Sequence, residues 1–423
     1  MDELDPNEPA WTYKGWPHRP PGTSLNDIVG ERLNLFDDDF LFPVASVSTE
    51  SLEHNLSTMA RFCRDHQVSL APHAKTTMSP EIIDRQLAAG AWAITAATAS
   101  QAITFRSFGV DRILIAHQVV DPAAVRWIAS EMERYPDVQI MCLVDSLEAV
   151  RAMTEALNDS PTDRPIDVLL ELGVVDGRSG CRTVEGAVDV ARAIEASDRL
   201  RLVGVEGYEG MIPTPEHDLA PVDSFLTDVG RLAVQLDSLN LFEGVDEIIL
   251  TAGGSMFPDR AVAVLGQLED LSTRTRVVIR SGCYVTHDSM MYTHGGPFGN
   301  RAPMDGYPSL RAALMVWAYV VSRPQDDLAI LGFGKRDASY DVDLPRPLTI
   351  RRSGSQRAVD GGLEVFSLND QHAYVRVSPG FDLAVGDIVG CGISHPCSTF
   401  DRWRALPLID QSFEVVGAIR TFF

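Results

Sequence analysis

Between residues 67 and 280 the chain carries eight short apolar runs, at 67–72, 92–97, 112–116, 138–144, 166–172, 201–206, 247–251 and 276–280. A mostly apolar stretch over so few residues marks a strand buried on both faces. Helical stretches separate the runs. One is Pro80-Glu-Ile-Ile-Asp-Arg-Gln-Leu-Ala-Ala-Gly90, where Ser79 suits the N-cap, Pro80 the first helical position and Gly90 the stop. Strands that alternate with helices pair in parallel through right-handed crossovers. Eight such units predict an α/β fold, a (β/α)8 TIM-type barrel. An open doubly wound sheet is the alternative.

After about residue 290 the texture changes. Short strand-like runs at 313–321, 328–331, 348–351, 363–366, 373–377 and 413–419 follow one another across Gly, Pro and Asp turns, with no long helix between them. The expected organisation is an N-terminal segment, 1–40, packed on the β-domain; a barrel, 41–290; and a β-rich domain, 291–423.

A net charge of −23 and a pI near 4.7 argue against nucleic-acid and anionic-membrane partners. The six cysteines show no CxxC spacing and form no disulfide framework. We see no signal peptide and no run of membrane length, so a cytoplasmic protein acting on a small molecule is expected.

Barrel enzymes place their chemistry at the carboxyl ends of the strands. Here those ends deliver His73 and Lys75 after the first run, His117 and Gln118 after the third and Asp145 after the fourth. The fifth leads to Arg178-Ser-Gly180 and the sixth to Tyr208-Glu-Gly210. The seventh ends in Thr251-Ala-Gly253-Gly254-Ser255, and the eighth in Arg280-Ser-Gly282-Cys283-Tyr284. Glycine-bearing loops after the last two strands suit a bound phosphate, because backbone N–H groups approach an anion closely there; an ordinary turn is the other reading. Only three lysines occur, Lys14, Lys75 and Lys335. Lys75 is the one at a strand end, and a lysine amine anchors pyridoxal phosphate in the enzymes that use it. Late in the chain, His395-Pro-Cys397 offers an imidazole and a thiolate two residues apart, a donor pair that suits Zn²⁺. A packed histidine beside a buried cysteine would look the same.

Taken together, Ala71-Pro-His-Ala-Lys-Thr76, the glycine loops and His395-Pro-Cys397 resemble the fold-type III pyridoxal phosphate enzymes of the D-serine dehydratase and D-threonine aldolase group. The resemblance implies an alanine racemase-like barrel and a homodimer. Lys75 would carry the cofactor and act as catalytic base, with its pKa lowered by burial. His73, Arg178, Tyr208, Thr251, Gly253, Gly254, Ser255, Arg280, Gly282, Cys283 and Tyr284 would line the cofactor site. Arg280 and Tyr208 compete for the pyridine nitrogen. His395 and Cys397 would bind zinc, and a cysteine at 397 leans toward the dehydratases. Met211 stands where the aldolase pattern has His after Tyr-x-Gly. Gly332-Phe-Gly334 before Lys335, and Asp370-Gln371-His372, also depart from the family pattern. The implied activity is a zinc-assisted dehydratase, or deaminase, of D-3-hydroxy amino acids, giving a 2-oxo acid and ammonia. The alternatives are a D-threonine-type aldolase, a non-catalytic pyridoxal phosphate-binding protein, and a zinc hydrolase without pyridoxal phosphate.

Overall fold

The computed structural model describes residues 13–37, 39–158, 162–214, 218–268, 270–301 and 306–423. Residues 1–12 and 38 of the N-terminal segment lie outside the described residues. The chain divides into two compact units. One comprises Met59–Lys75 and Gln86–Gly282. The other comprises the chain up to Thr58, Thr76–Arg85 and Cys283–Phe423.

The first strand in the chain, β1 (Val44–Ser48), belongs to the second unit. The first unit holds the eight strands read from the apolar runs. They are β2 (Ser69–Leu70), β3 (Ile94–Ala96), β4 (Arg112–Gln118), β5 (Gln139–Val144), β6 (Ile166–Leu172), β7 (Leu200–Gly207), β8 (Ile248–Ala252) and β9 (Thr275–Ile279). The sheet order is β2-β9-β8-β7-β6-β5-β4-β3, and every pairing is parallel. Closure comes at the β2–β3 seam. Trp92 N donates to Leu70 O at 2.8 Å, Thr95 N donates to Pro72 O at 2.9 Å, and His73 bridges Thr95 in parallel. The predicted curled barrel is therefore what forms. Its interior is filled by Ala71, Leu114, Leu143, Leu169, Val203, Ile249 and Val278, so it is a packed core rather than a pore. Hydroxyl and carboxylate caps start the crossover helices. Thr98, Asp121, Ser146 and Thr183 accept from Gln101 N, Ala123 N, Ala149 N and Gly186 N. Each such cap contributes about 1 kcal/mol.

The second unit is mostly β. Its further strands are β10 (Leu314–Gln325), β11 (Leu328–Leu331), β12 (Arg346–Arg352), β13 (Ser355–Ala358), β14 (Leu363–Leu368), β15 (Ala373–Val377), β16 (Ile388–Gly392), β17 (Ala405–Ile409) and β18 (Val415–Arg420). The main path of the sheet runs β13-β12-β16-β10-β1-β17-β18, with β11, β15 and β14 branching from β10. The barrel segment expected from the sequence, 41–290, includes residues 44–48. Instead β1 lies between β10 and β17, with Val44, Ala45, Ser46 and Val47 all buried there. There Tyr13, Trp16, Leu25, Ile28, Leu35 and Phe40 pack with Val44, Trp317, Ala405 and Val415. Trp317 buries its ring and donates Nε1–H to Ser46 Oγ at 2.9 Å. Lys14 donates to Asp337 Oδ1 at 2.8 Å and to Arg336 O at 3.0 Å, with its ammonium 3.7 Å from the Trp403 ring centroid. Among the described residues no helix is long and apolar enough to cross a membrane.

Candidate functional site

The carboxyl ends of β2–β9 collect the barrel residues singled out in the sequence. Beyond β2 the backbone is held by Ala71 N, which donates to Ile279 O at 2.9 Å, and by Thr95 Oγ1, which donates to Ala71 O at 2.6 Å. The chain then tightens into a single turn, Ala74–Thr76, that turns Lys75 outward. Lys75 is exposed, which corrects the expectation of a buried amine. The reason is its place on the turn after the strand rather than within the strand. Beside it, His73 keeps Nδ1 buried without a hydrogen-bond partner. Burial first, and then Lys75, Arg280 and Arg178, hold the His73 imidazole well below its ordinary pKa. It is therefore neutral, and it adds no charge to a neighbourhood that already holds three cations.

Three buried carboxyl groups, Glu206, Glu171 and Glu209, lie in the same neighbourhood, where Arg280 and Arg178 act on Glu206 and Arg280 on Glu209. Arg280, at the end of β9, donates to Thr251 Oγ1 at 2.7 Å, to Gly207 O at 3.3 Å and to Glu206 Oε1. Both members of the Arg280–Glu206 pair are nearly inaccessible, at 5% and 2%. Glu206 Oε2 has no partner, and burial pushes the Glu206 carboxyl up to about 8 despite Arg280. Glu171 accepts from Gln118 Nε2 and, at 2.9 Å, from Ser179 Oγ. Arg178 is exposed and lies 4.8 Å over the Tyr208 ring.

Glu209 alters the expectation for the glycine loops. Its carboxylate accepts from Gly254 N at 2.7 Å and from Gly253 N at 3.2 Å. The two amides expected to meet a phosphate are thus already engaged. Ser281 Oγ braces the same loop by donating to Gly253 O and Gly254 O at 3.2 and 3.1 Å. The positive φ of Gly253 (+76°) permits this turn, since an added Cβ would come within 2.8 Å of Ile279. Ser255 and Gly282 lie on these same two loops. The remainder of the loops together with Lys75, Arg178 and Arg280 forms a cationic donor set that fits a phosphorylated aldehyde. Glu206 and Glu209 were missed in the sequence. The signal was present in Glu206-Gly-Tyr-Glu209, two acids closing an apolar run.

The remaining singled-out residues belong to the mostly β unit. Cys283 and Tyr284 are buried in the turn Cys283–Val285. Cys283 Sγ lies 3.6 Å from Cys397 Sγ, and Cys397 Sγ lies 3.3 Å from Thr76 Oγ1. The contact with Cys397, and then burial, raise the Cys283 thiol well above its ordinary pKa. His395 caps the short helix Pro396–Phe400, with Pro396 at the first helical position, so His-x-Cys sits at a helix start. His395 Nδ1 is 2.6 Å from Asp341 Oδ2 and 2.7 Å from Ser398 Oγ. Burial pushes the Asp341 carboxyl up, but hydrogen bonds from His395 and Ser398 outweigh it and hold the group below its ordinary value. Among the described residues no three His, Cys, Asp or Glu side chains gather around one metal position. What this unit offers a metal is His395 Nε2 and Cys397 Sγ, a nitrogen–sulfur pair of the kind Zn²⁺ accepts.

Comparison with known proteins agrees with this anatomy. Residues 47–232 match the alanine racemase N-terminal domain, and residues 313–409 match a putative serine dehydratase domain. A D-threonine aldolase of Arthrobacter sp is 28% identical over 382 residues, spanning 87% of this chain and 90% of that one. Among solved structures, D-threonine aldolase from Filomicrobium marinum superposes with a TM-score of 0.73 at 22% identity, covering 90% of this chain and 95% of its own. A D-threo-3-hydroxyaspartate dehydratase variant in a metal-free form superposes with a TM-score of 0.70 at 20% identity, covering 90% and 97%. With an alanine racemase-type barrel domain followed by a serine dehydratase-type domain, the chain belongs to the fold-type III pyridoxal phosphate family.

Proposed function

We propose that this pyridoxal phosphate-dependent lyase is a zinc-assisted dehydratase, or deaminase, of D-3-hydroxy amino acids of the D-serine type, releasing a 2-oxo acid and ammonia. The observation that carries the reading is the His395–Cys397 pair, whose imidazole is already fixed at Nδ1 by Asp341. Loss of a β-hydroxyl needs help with a poor leaving group, and a nitrogen–sulfur metal pair supplies that help where mere storage of a cofactor would need none.

Bound pyridoxal phosphate supplies an electron sink that acidifies the substrate Cα–H. Zinc at His395 and Cys397 supplies a Lewis acid for the departing oxygen. Lys75 would hold the cofactor through its amine and would serve as the base for the Cα proton. Neutral His73 leaves the amine of Lys75 as the proton carrier on that turn. Arg280, fixed by Glu206, Thr251 and Gly207, offers a rigid donor toward the pyridine nitrogen. Arg178 and Tyr208 form a cationic, aromatic wall on the neighbouring strand ends. A homodimer in the cytoplasm completes the reading, and light scattering across a dilution series tests the dimer.

Borohydride reduction followed by peptide mapping should place the cofactor label on Lys75; a label on Lys14 or Lys335 would overturn the assignment. A second reading, an aldolase, is favoured by the Arthrobacter relative. Product analysis with D-serine, D-threonine and 3-hydroxy-D-aspartate separates the two. A 2-oxo acid with ammonia supports the dehydratase, and glycine with an aldehyde supports the aldolase. Met211, exposed where an aldolase would carry histidine, weighs toward the first.

A further inference from the structure

We propose that Asp341 is the positioning residue for His395: its carboxylate, braced by Ser398, accepts a hydrogen bond from Nδ1–H and so presents Nε2 as the ring nitrogen that meets a divalent cation. The inference deepens the metal reading above and rests on it, and it assigns a residue that the sequence did not single out. Asp341 Oδ2 lies 2.6 Å from His395 Nδ1. Ser398 Oγ donates to both Asp341 oxygens, at 2.9 and 3.0 Å, and lies 2.7 Å from the same Nδ1. A carboxylate acceptor at Nδ1 selects the tautomer that bears hydrogen there and leaves the Nε2 lone pair bare.

The carrier loop is anchored independently. Ser339 N donates to Thr399 Oγ1 at 3.0 Å, and His395 N donates to Ser339 Oγ at 3.2 Å. Ser394 Oγ donates to Asp343 O at 2.7 Å. Ser339, Ser394 and Thr399 are each fully buried. Asp341 is therefore held opposite His395 by bonds on both sides of it in sequence. A hydrolase triad is the competing reading of Asp, His and Ser in contact. It does not fit, because Ser398 and Asp341 meet the same ring nitrogen, whereas a triad serine must face the opposite one.

The test compares wild-type holoenzyme with H395A, D341N and D341E, using Zn²⁺ alone in competition with a chromophoric chelator. A second measurement is the ¹⁵N spectrum of histidine-labelled, zinc-free enzyme. We expect D341N to weaken Zn²⁺ binding about 10- to 100-fold, D341E to recover part of it, and the cofactor's visible absorbance to stay unchanged. The His395 signals should report Nδ1–H in wild type and a shift toward Nε2–H in D341N. If H395A loses zinc while D341N binds it as wild type does and keeps the tautomer, the inference is overturned and the metal reading stands. If H395A binds zinc as well as wild type, the metal reading fails and takes this inference with it.

Discussion

Replacing Glu206 by Gln should reverse the order of stability of the two proteins between pH 5 and pH 8. Glu206 is 2% exposed, and its carboxyl is pushed from 4.5 to about 8 by burial, with Glu171 and Glu209 adding to the shift and Arg280 opposing it. A carboxyl with a raised folded pKa contributes stability that is complete below the unfolded value and is lost as pH climbs through the folded one. Between those limits the folded protein holds one more proton than the unfolded chain, so stability falls by about 1.4 kcal/mol per pH unit. The full window corresponds to about 5 kcal/mol as an upper limit. Gln does not titrate, and its carbonyl can keep the bond from Arg280. Its amide would sit where Oε2 has no partner, at a cost of about 1–3 kcal/mol. The variant should therefore be the weaker protein at pH 5 and the stronger at pH 8. Urea unfolding of both proteins at each pH, followed by far-ultraviolet circular dichroism, measures the difference and cancels the titration of groups remote from Glu206. A difference that stays constant from pH 5 to pH 8 would refute the argument, because it would mean that Glu206 is ionised throughout.

Three further perturbations have defined outcomes. In G204A the new Cβ would fall 2.0 Å from Ile249 O, across the register Gly204↔Ile249; a loss of about 3 kcal/mol or of soluble protein is expected, and a melting temperature equal to wild type would contradict the packing. K14M removes the ammonium beside Asp337, whose inaccessible side chain keeps the bond from Gly334 N; because Lys14 itself is 38% exposed, the denaturation midpoint should drop by the equivalent of about 1–2 kcal/mol, with much of it restored in K14M/D337N. W317F removes the donor to the buried Ser46 hydroxyl and should cost about 1–2 kcal/mol, read from the same curves.

The barrel was legible because strands buried on both faces leave mostly apolar runs, and all eight lie within a few residues of those runs. Four strands of the other sheet were not. β13 is exposed at all four residues, β16 contains two glycines, and β17 contains Pro407, which reads as a strand breaker. β1, Val-Ala-Ser-Val-Ser, is too short and too polar to stand out. At the site, Lys75 was legible through its rarity and its strand-end place. Glu206 and Asp341 were not, because each acquires its meaning from a partner far away in sequence. Arg280 lies 74 residues from Glu206, and His395 lies 54 from Asp341. Only the topology brings them together. The engagement of Gly253 and Gly254 by Glu209 was hidden for the same reason, since a glycine pattern records available amides but not which acceptor reaches them first.

The place of β1 has a consequence for how this protein emerges from the ribosome. Its two neighbours, β10 and β17, pair through Val44↔Trp317 and Val47↔Leu408, so both arrive after nearly three quarters of the chain has been made. The parallel strands between 69 and 279 pair mainly with near neighbours in sequence and can assemble as they appear. β1 must wait meanwhile with both backbone edges open, a template for the wrong partner and a natural client for a chaperone. Translation stalled after β9 has left the ribosome but before β10 does would leave eight strands paired and this one orphaned. A deletion that removed it would split the longer sheet through its middle rather than trim its rim.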